Sequence, residues 1–143
     1  FKNDNPIGIH KKWYDTGLIW YEDFYNETGL KVSFKSWWEN GKLEYEYSIK
    51  EFSEIEKGYY ENGNKEYVRS FLKGNVDGNH IEWYENGQMH KQIRYKDGKN
   101  HGLTEVWHEN GQIADRVFYI NDWPKESTSW NLDGTIKDEM KAR

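Results

Sequence analysis

Five histidines, His10, His80, His90, His101 and His108, are the side chains in this sequence best suited to proton transfer or metal ligation near neutral pH. If the segment between them folds as a hairpin, His90 faces Glu82 and His80 lies on the same side. That would bring together three donors of the kind that bind zinc. No tight ligand spacing recurs elsewhere, so these three are expected to be solvated positions on a polar face, with no metal and no cofactor bound. His101 stands at a loop position and reads as structural. Paired carboxylates are the other chemistry to weigh, since two of them suffice for glycoside hydrolysis. Yet Glu39, Glu61, Glu85 and Glu109 recur at one position of a repeated phrase. A residue repeated in that way serves a turn rather than a reaction. There is no cysteine, which excludes a thiol nucleophile, a thiolate metal site and a disulfide framework. No serine sits in a Gly-x-Ser-x-Gly elbow, and no glycine loop of the phosphate-binding kind precedes a helix. The expectation is a protein without enzymatic activity.

The elements that carry these residues are legible in the repeated phrase. It reads Trp37-Trp38-Glu39-Asn40-Gly41, Tyr59-Tyr60-Glu61-Asn62-Gly63, Trp83-Tyr84-Glu85-Asn86-Gly87 and Trp107-His108-Glu109-Asn110-Gly111. Looser copies are Trp13-Tyr14-Asp15-Thr16-Gly17 and Trp130-Asn131-Leu132-Asp133-Gly134. The turn glycines are Gly17, Gly41, Gly63, Gly87, Gly111 and Gly134, so one unit is roughly 24 residues long and there are about six. Asn-Gly between apolar residues is a strong hairpin signal. A second phrase, clearest from Tyr95 to Gly102, closes each unit with a looser turn; its relatives run from Phe71 to Gly78, from Phe1 to Gly8 and, degenerate, from Tyr119 to Glu126. Pro6 and Pro124, the two prolines of the chain, both fall in that loop. The unit from Ile49 to Gly58 lacks both loop glycines and should carry a bulge, a kink or a different loop.

The whole chain, 1–143, is thus expected to be one all-β domain: tandem β-hairpins in an elongated, twisted antiparallel meander. A three-residue loop with a glycine bulge is favoured at the Asn-Gly turns, because it sets Trp13 opposite Ile19, Trp37 opposite Leu43, Trp83 opposite Met89, Trp107 opposite Ile113 and Trp130 opposite Ile136. On that register Ile81, Trp83, Met89, Ile93 and Tyr95 would share one face. The opposite face would carry Glu, Gln, Lys and Arg, interrupted by a second aromatic column: Tyr14, Trp38, Tyr60, Tyr84 and His108. These five would stand at intervals of about 10 Å, two strand spacings. They are the candidate binding residues, with shielding of the strand backbone as the plainer role. The chain begins at Phe1 in mid-repeat, which predicts at least one further hairpin upstream and leaves the compartment open, whether bacterial cytoplasm or cell surface.

Composition fits a thin structure. Aromatic residues make up 17% of the chain while mean hydropathy is −1.16, so large rings supply the apolar area. The net charge of −5 argues against nucleic acid and against anionic membranes. No apolar run approaches the ~20 residues of a membrane-spanning helix.

The phrase aromatic-aromatic-Glu-Asn-Gly-(Gln/Lys)-(Leu/Ile/Met), followed by Tyr-x-Asp-Gly-Lys-x-His-Gly, resembles the MORN-repeat variant of bacterial proteins, many of which are described as YwqK-like antitoxins. Trp83 to Gly102 and Trp107 to Gly111 match it best; residues 20–35, 49–58 and 120–143 match weakly. Cell-wall-binding repeats, usually Trp-Tyr-Tyr-x-x-x-x-Gly, fit less well. The resemblance implies repeated hairpins in an extended sheet and roles in protein binding, toxin neutralisation or lipid association. The leading expectation is a protein-interaction module, in its specific form an antitoxin or immunity protein whose acidic balance suits a basic partner. A cell-surface or carbohydrate-binding module using the aromatic strip is the alternative, and membrane-lipid association a further one. Free sheet edges would also allow self-association.

Overall fold

The computed structural model describes residues 5–141. The start of the first loop phrase, at Phe1, lies outside them. All regular structure is β: β1 (Gly8–Trp13), β2 (Ile19–Tyr25), β3 (Lys31–Trp37), β4 (Leu43–Lys50), β5 (Ser53–Tyr59), β6 (Lys65–Leu72), β7 (Asn75–Val76), β8 (Gly78–Trp83), β9 (Met89–Lys96), β10 (Lys99–Asn100), β11 (Gly102–Trp107), β12 (Ile113–Ile120), β13 (Trp123–Trp130) and β14 (Ile136–Met140). They form one open antiparallel sheet in chain order, with the short β7 and β10 as side extensions on β6 and β9. Each strand pairs with its neighbours in sequence because every connection is a tight turn.

The Asn-Gly turns are three-residue loops closed by a glycine. The Tyr84 N–H donates to the Gln88 carbonyl, the Gly87 N–H donates to the Tyr84 carbonyl, and Gly87 has φ +87°. That backbone region is costly for a residue with a Cβ, which explains the glycine in all six turns. The register follows as expected: Trp13 pairs with Ile19, Trp37 with Leu43, Trp83 with Met89, Trp107 with Ile113 and Trp130 with Ile136.

One expectation is corrected. Ile93 and Tyr95 do not share a face with Ile81, Trp83 and Met89. Two steps past each turn the ladder slips again: Trp83 pairs with Met89, but Glu82 pairs with Lys91, leaving His90 as an extra residue. The same bulge leaves Trp20, Glu44, Glu66, Ala114 and Lys137 unpaired in the other hairpins. An extra residue reverses the alternation beyond it, so Ile93 and Tyr95 move to the face of His80 and Glu82.

The two faces are therefore composed differently from the expectation of one apolar and one charged side. The tryptophan face carries the Trp–aliphatic pairs and, beside them, the cross-strand row Lys11–Glu22–Lys35–Glu46–Lys57. Lys11 and Glu22 lie 2.7 Å apart, and Lys57 and Glu46 2.8 Å apart. The tyrosine face carries Tyr21, Tyr45 and Tyr67 in one row and Phe34, Tyr47 and Arg69 in the next. A single layer leaves little to bury: among the described residues Ala114 is the one buried apolar residue, joined by the polar Asp23 and Ser36.

The unit at 49–58 makes a two-residue turn, with Lys50 paired to Ser53 and Glu51 at φ +58°. The segment 20–35 holds a turn the repeat does not announce: Gly29, at φ +81°, closes an Asn26–Leu30 loop of the same hydrogen-bond pattern as the Asn-Gly turns.

Candidate binding face

The second aromatic column lies on the tyrosine face, next to the turns, and the structure gives it a task. The Tyr14 hydroxyl donates to the Trp37 carbonyl at 2.7 Å, Tyr60 to Trp83 at 2.8 Å and Tyr84 to Trp107 at 2.8 Å. Trp38 Nε1 donates to the Tyr59 carbonyl at 3.3 Å. Each ring thus reaches the next hairpin and satisfies a carbonyl at the mouth of its turn. All five column residues are half-buried, and the Nε2 of His108 is enclosed without a hydrogen bond. Four of the five polar tips, those of Tyr14, Trp38, Tyr60 and Tyr84, are thus engaged within the molecule.

The turn asparagines run a parallel ladder that sequence reading missed. Asn62 Oδ1 accepts the Asn64 N–H within its own turn at 2.8 Å, and Asn62 Nδ2 donates to the Glu85 carbonyl of the next turn at 2.9 Å. Asn40 and Asn86 do the same toward Glu61 and Glu109. The clue was available, since aspartate would serve the turn alone, whereas an amide also supplies a donor. Of the recurrent glutamates, Glu61, Glu85 and Glu109 contribute their backbone carbonyls here, and the side chains of all four, Glu39 included, are exposed.

A hollow on the tyrosine face lies over β6, β8 and β9. On β8 that face presents only Gly78, His80 and Glu82, while its neighbours present Arg69 and Phe71 on one side and Lys91, Ile93 and Tyr95 on the other. The result is a hollow of about 390 Å³, joined across Arg69 and Glu82 to a smaller one of about 180 Å³ bordered by Tyr60, Tyr67 and His90. His80, Glu82 and His90 do share this face, but they do not converge. His80 Nε2 donates to the Ser70 carbonyl at 3.3 Å, with its ring 4.7 Å from that of Tyr95. His90 stacks on Tyr84 at 4.4 Å, and its Nδ1 stands 3.9 Å from Glu82. No group of three ligating side chains that could hold a metal ion occurs among the described residues. Burial holds His80 below the ordinary histidine value, so it is neutral at pH 7. His101 lies 3.2 Å from Asn121 of the next loop, a contact that ties loop to loop.

Tyrosine hydroxyls on this sheet are set against carboxylates. Burial, then the charge of Glu56, pushes Tyr45 up to about 12. On the other face burial, then a 2.9 Å hydrogen bond to Glu46, pushes Tyr59 up to about 12. Both stay protonated at physiological pH and act as rigid donors rather than as acids or bases.

Comparison with known proteins follows the hairpin boundaries. The family model described as MORN repeat variant matches residues 32–51, 76–97 and 100–121, which are β3–β4, β8–β9 and β11–β12 with their turns. No curated protein matches the chain. Among solved structures, a point mutant of S. aureus TarM in complex with fondaparinux, alpha-GlcNAc-glycerol and UDP aligns with 82% of this chain at 8% identity and a TM-score of 0.39. A second TarM structure aligns with 94% at 11% identity and a TM-score of 0.25. The chain spans about a fifth of the length of each, 21%. At this level of similarity they bear on neither fold nor ligand. The three matched segments hold the same double-bulge hairpin as β5–β6 between them, and over these segments the chain is similar to the MORN repeat variant.

Proposed function

We propose that the chain is a non-enzymatic protein-interaction module that engages its partner through the tyrosine face. The observation that carries this is the hollow over β6, β8 and β9, where Arg69 and the rings of Tyr60, Tyr67, Phe71 and Tyr95 meet on an uncovered surface. Tyrosine and arginine are the residues that most often dominate binding energy at protein interfaces. The bonds from Tyr60 and Tyr84 to the next hairpin stiffen the border of that surface, which lowers the entropy lost on binding. The repeat architecture supports the reading, since stacked units give a long surface on which each unit varies independently.

The test is photo-crosslinking. A benzophenone amino acid replaces Phe71 on the tyrosine face or Ile55, 39% exposed, on the tryptophan face. A single protein crosslinked from position 71, competed by unlabelled chain and absent from position 55, supports the reading. Equal labelling from both positions, or none from either, contradicts it. The finer form, an antitoxin or immunity protein, rests on the sequence resemblance and on the net charge of −5, which suits a basic partner. Relief of a co-expressed toxin would support that form, and undiminished toxicity would remove it.

A further inference from the structure

The tyrosine face seats the chain's own cations in one recurring way. Lys31 Nζ lies 2.6 Å from Asp23 and over the rings of Tyr25 and Phe34, at 5.5 and 5.4 Å. Arg69 lies over the Tyr67 ring at 4.4 Å, and its ion pair is with Glu82 at 3.6 Å. Tyr67 can lie there because its cross-strand partner is Gly58, where a Cβ would overlap the ring. Each cation thus has an aromatic ring against it and a carboxylate beside it, and both attract it.

The strip between these two places, over β4 and β5, has the rings and the carboxylates without a cation. Tyr47 is the cross-strand partner of Glu56, and its hydroxyl donates to Glu54 at 3.3 Å. Tyr45 stands two residues along β4, opposite Gly58. Glu44, the extra residue of β4, accepts the Ser36 hydroxyl at 2.9 Å, and Glu66, the extra residue of β6, borders the smaller hollow. Among the described residues no ion pair is formed by Glu44, Glu54, Glu56 or Glu66. On this face β4, β5, β6 and β8 carry those four carboxylates and Glu82 against Arg69, the cross-strand partner of Glu56; adding Lys91, the partner of Glu82 on β9, still leaves five against two. Lys35 and Lys57 point to the tryptophan face, where they flank Glu46. A cation arriving over β4 and β5 therefore meets tyrosine rings and unneutralised carboxylates on a sheet surface with no covering layer. These oxygens do not converge on a point, since no group of three side chains that could hold a metal ion occurs among the described residues. The arrangement suits cations carried on separate side chains. Glu54 and Glu56 are alternate residues of one strand, about 7 Å apart, which is the repeat of side chains along one side of an extended segment.

We infer that the strip over β4 and β5 receives a basic segment of the partner protein, an extended stretch whose alternate lysine or arginine side chains lie on Tyr45 and Tyr47 and pair with Glu54 and Glu56. The inference rests on the tyrosine face being the binding face. It locates on that face the negative charge that suits a basic partner.

The test is a titration of the ¹⁵N-labelled chain with acetyl-Val-Arg-Val-Lys-Val-amide, with the same peptide carrying Gln at both basic positions, and with spermine, followed by NMR. The basic peptide should shift amides 44–47 and 54–58. At low salt it should bind about fivefold more tightly than the Gln peptide, the value of two partly exposed ion pairs, and the advantage should shrink as salt is raised. Spermine should bind more weakly than the basic peptide, having no backbone or apolar side chains to lay on the sheet. The Glu54→Gln/Glu56→Gln chain, in which residue 54 still offers an oxygen to the Tyr47 hydroxyl, should lose the advantage. Melting curves establish that this variant is folded, and Glu56→Gln alone, with an expected loss of about twofold, takes its place if it is not. Equal binding of the two peptides, spermine binding as tightly as the basic peptide, or an unchanged advantage in the variant overturns the inference. A partner crosslinked from position 71 with undiminished yield in the variant also overturns it, and leaves the tyrosine-face reading standing. A failed crosslink at position 71 in the otherwise unaltered chain would remove that reading itself.

Discussion

The junctions in the middle of the sheet and the junction to the last hairpin are built from the same phrase and end up coupled differently. Between the turns at 39–41, 61–63, 85–87 and 109–111, every step carries an aromatic donor and an asparagine donor reaching forward to the next unit. Lys42 Nζ adds a bond to the Asn62 carbonyl at 2.7 Å. At the last step both are missing. His108 Nε2 is enclosed without a hydrogen-bond partner, and Asn110 Nδ2 turns back to Gln112 in its own turn at 3.2 Å. All of β14 is exposed, including Ile136 at 61%. Backbone pairing continues across both regions. In a single-layer sheet with almost no core, side chains that span turns are expected to add to the unit-to-unit cohesion that backbone pairing supplies. It also places the Arg69 hollow inside the doubly coupled region.

The most disruptive way to break the central region is Gly58→Ala. The new methyl overlaps the Tyr67 ring, and overpacking of this kind costs about 1–3 kcal/mol. Urea unfolding should show that loss, and the Arg69 stack should be displaced with it. Next comes a paired test of the forward bonds. Tyr84→Phe removes the hydrogen bond to Trp107 and should cost about 1 kcal/mol, whereas His108→Phe removes an enclosed nitrogen that has no partner and should be neutral or stabilising. Equal losses at the two sites would refute the contrast. Asn62→Asp keeps the acceptor within its turn and deletes the donor to Glu85. It should cost a few tenths of a kcal/mol by the same urea assay, being exposed, while Asn110→Asp should cost less still.

The smallest effect is confined to alkaline pH. Tyr45 and Tyr59 have values raised to about 12, above the ordinary 10, so the fold favours their protonated forms. Their contribution is complete below pH 10 and is lost as the pH rises from 10 toward 12. The chain has no tyrosine after Tyr119. Alkaline titration followed by tyrosine absorbance and amide exchange should therefore loosen β4–β6 and leave β13–β14 unaffected by this mechanism.

Much of the fold was legible in the sequence, because the Glu-Asn-Gly phrase fixes turn, phase and register together. The Trp–aliphatic pairs follow from one choice of loop. What the sequence hid was the second bulge of each hairpin. Its extra residue is Trp20, Glu44, Glu66, His90, Ala114 or Lys137, with no shared chemistry, so no pattern marks it. Missing it put Ile93 and Tyr95 on the wrong face and left the hollow unseen. The aromatic column was visible as an alignment, but its hydrogen bonds depend on a neighbour about 23 residues onward, set by how the units stack. Arg69 carried no sequence signal, because its stack depends on Gly58 opposite Tyr67, a cross-strand relation outside the repeated phrase.

Side chains reaching forward from turn to turn should make β3–β12 one stiff platform, with β13–β14 held less firmly. Amide hydrogen exchange on the free chain tests it most directly. Protection should be similar and strong across the paired amides of β4, β6, β8, β9 and β11, and exchange markedly faster in β13 and β14. Uniform protection through β14, or protection that falls off at a junction carrying both forward bonds, would contradict it.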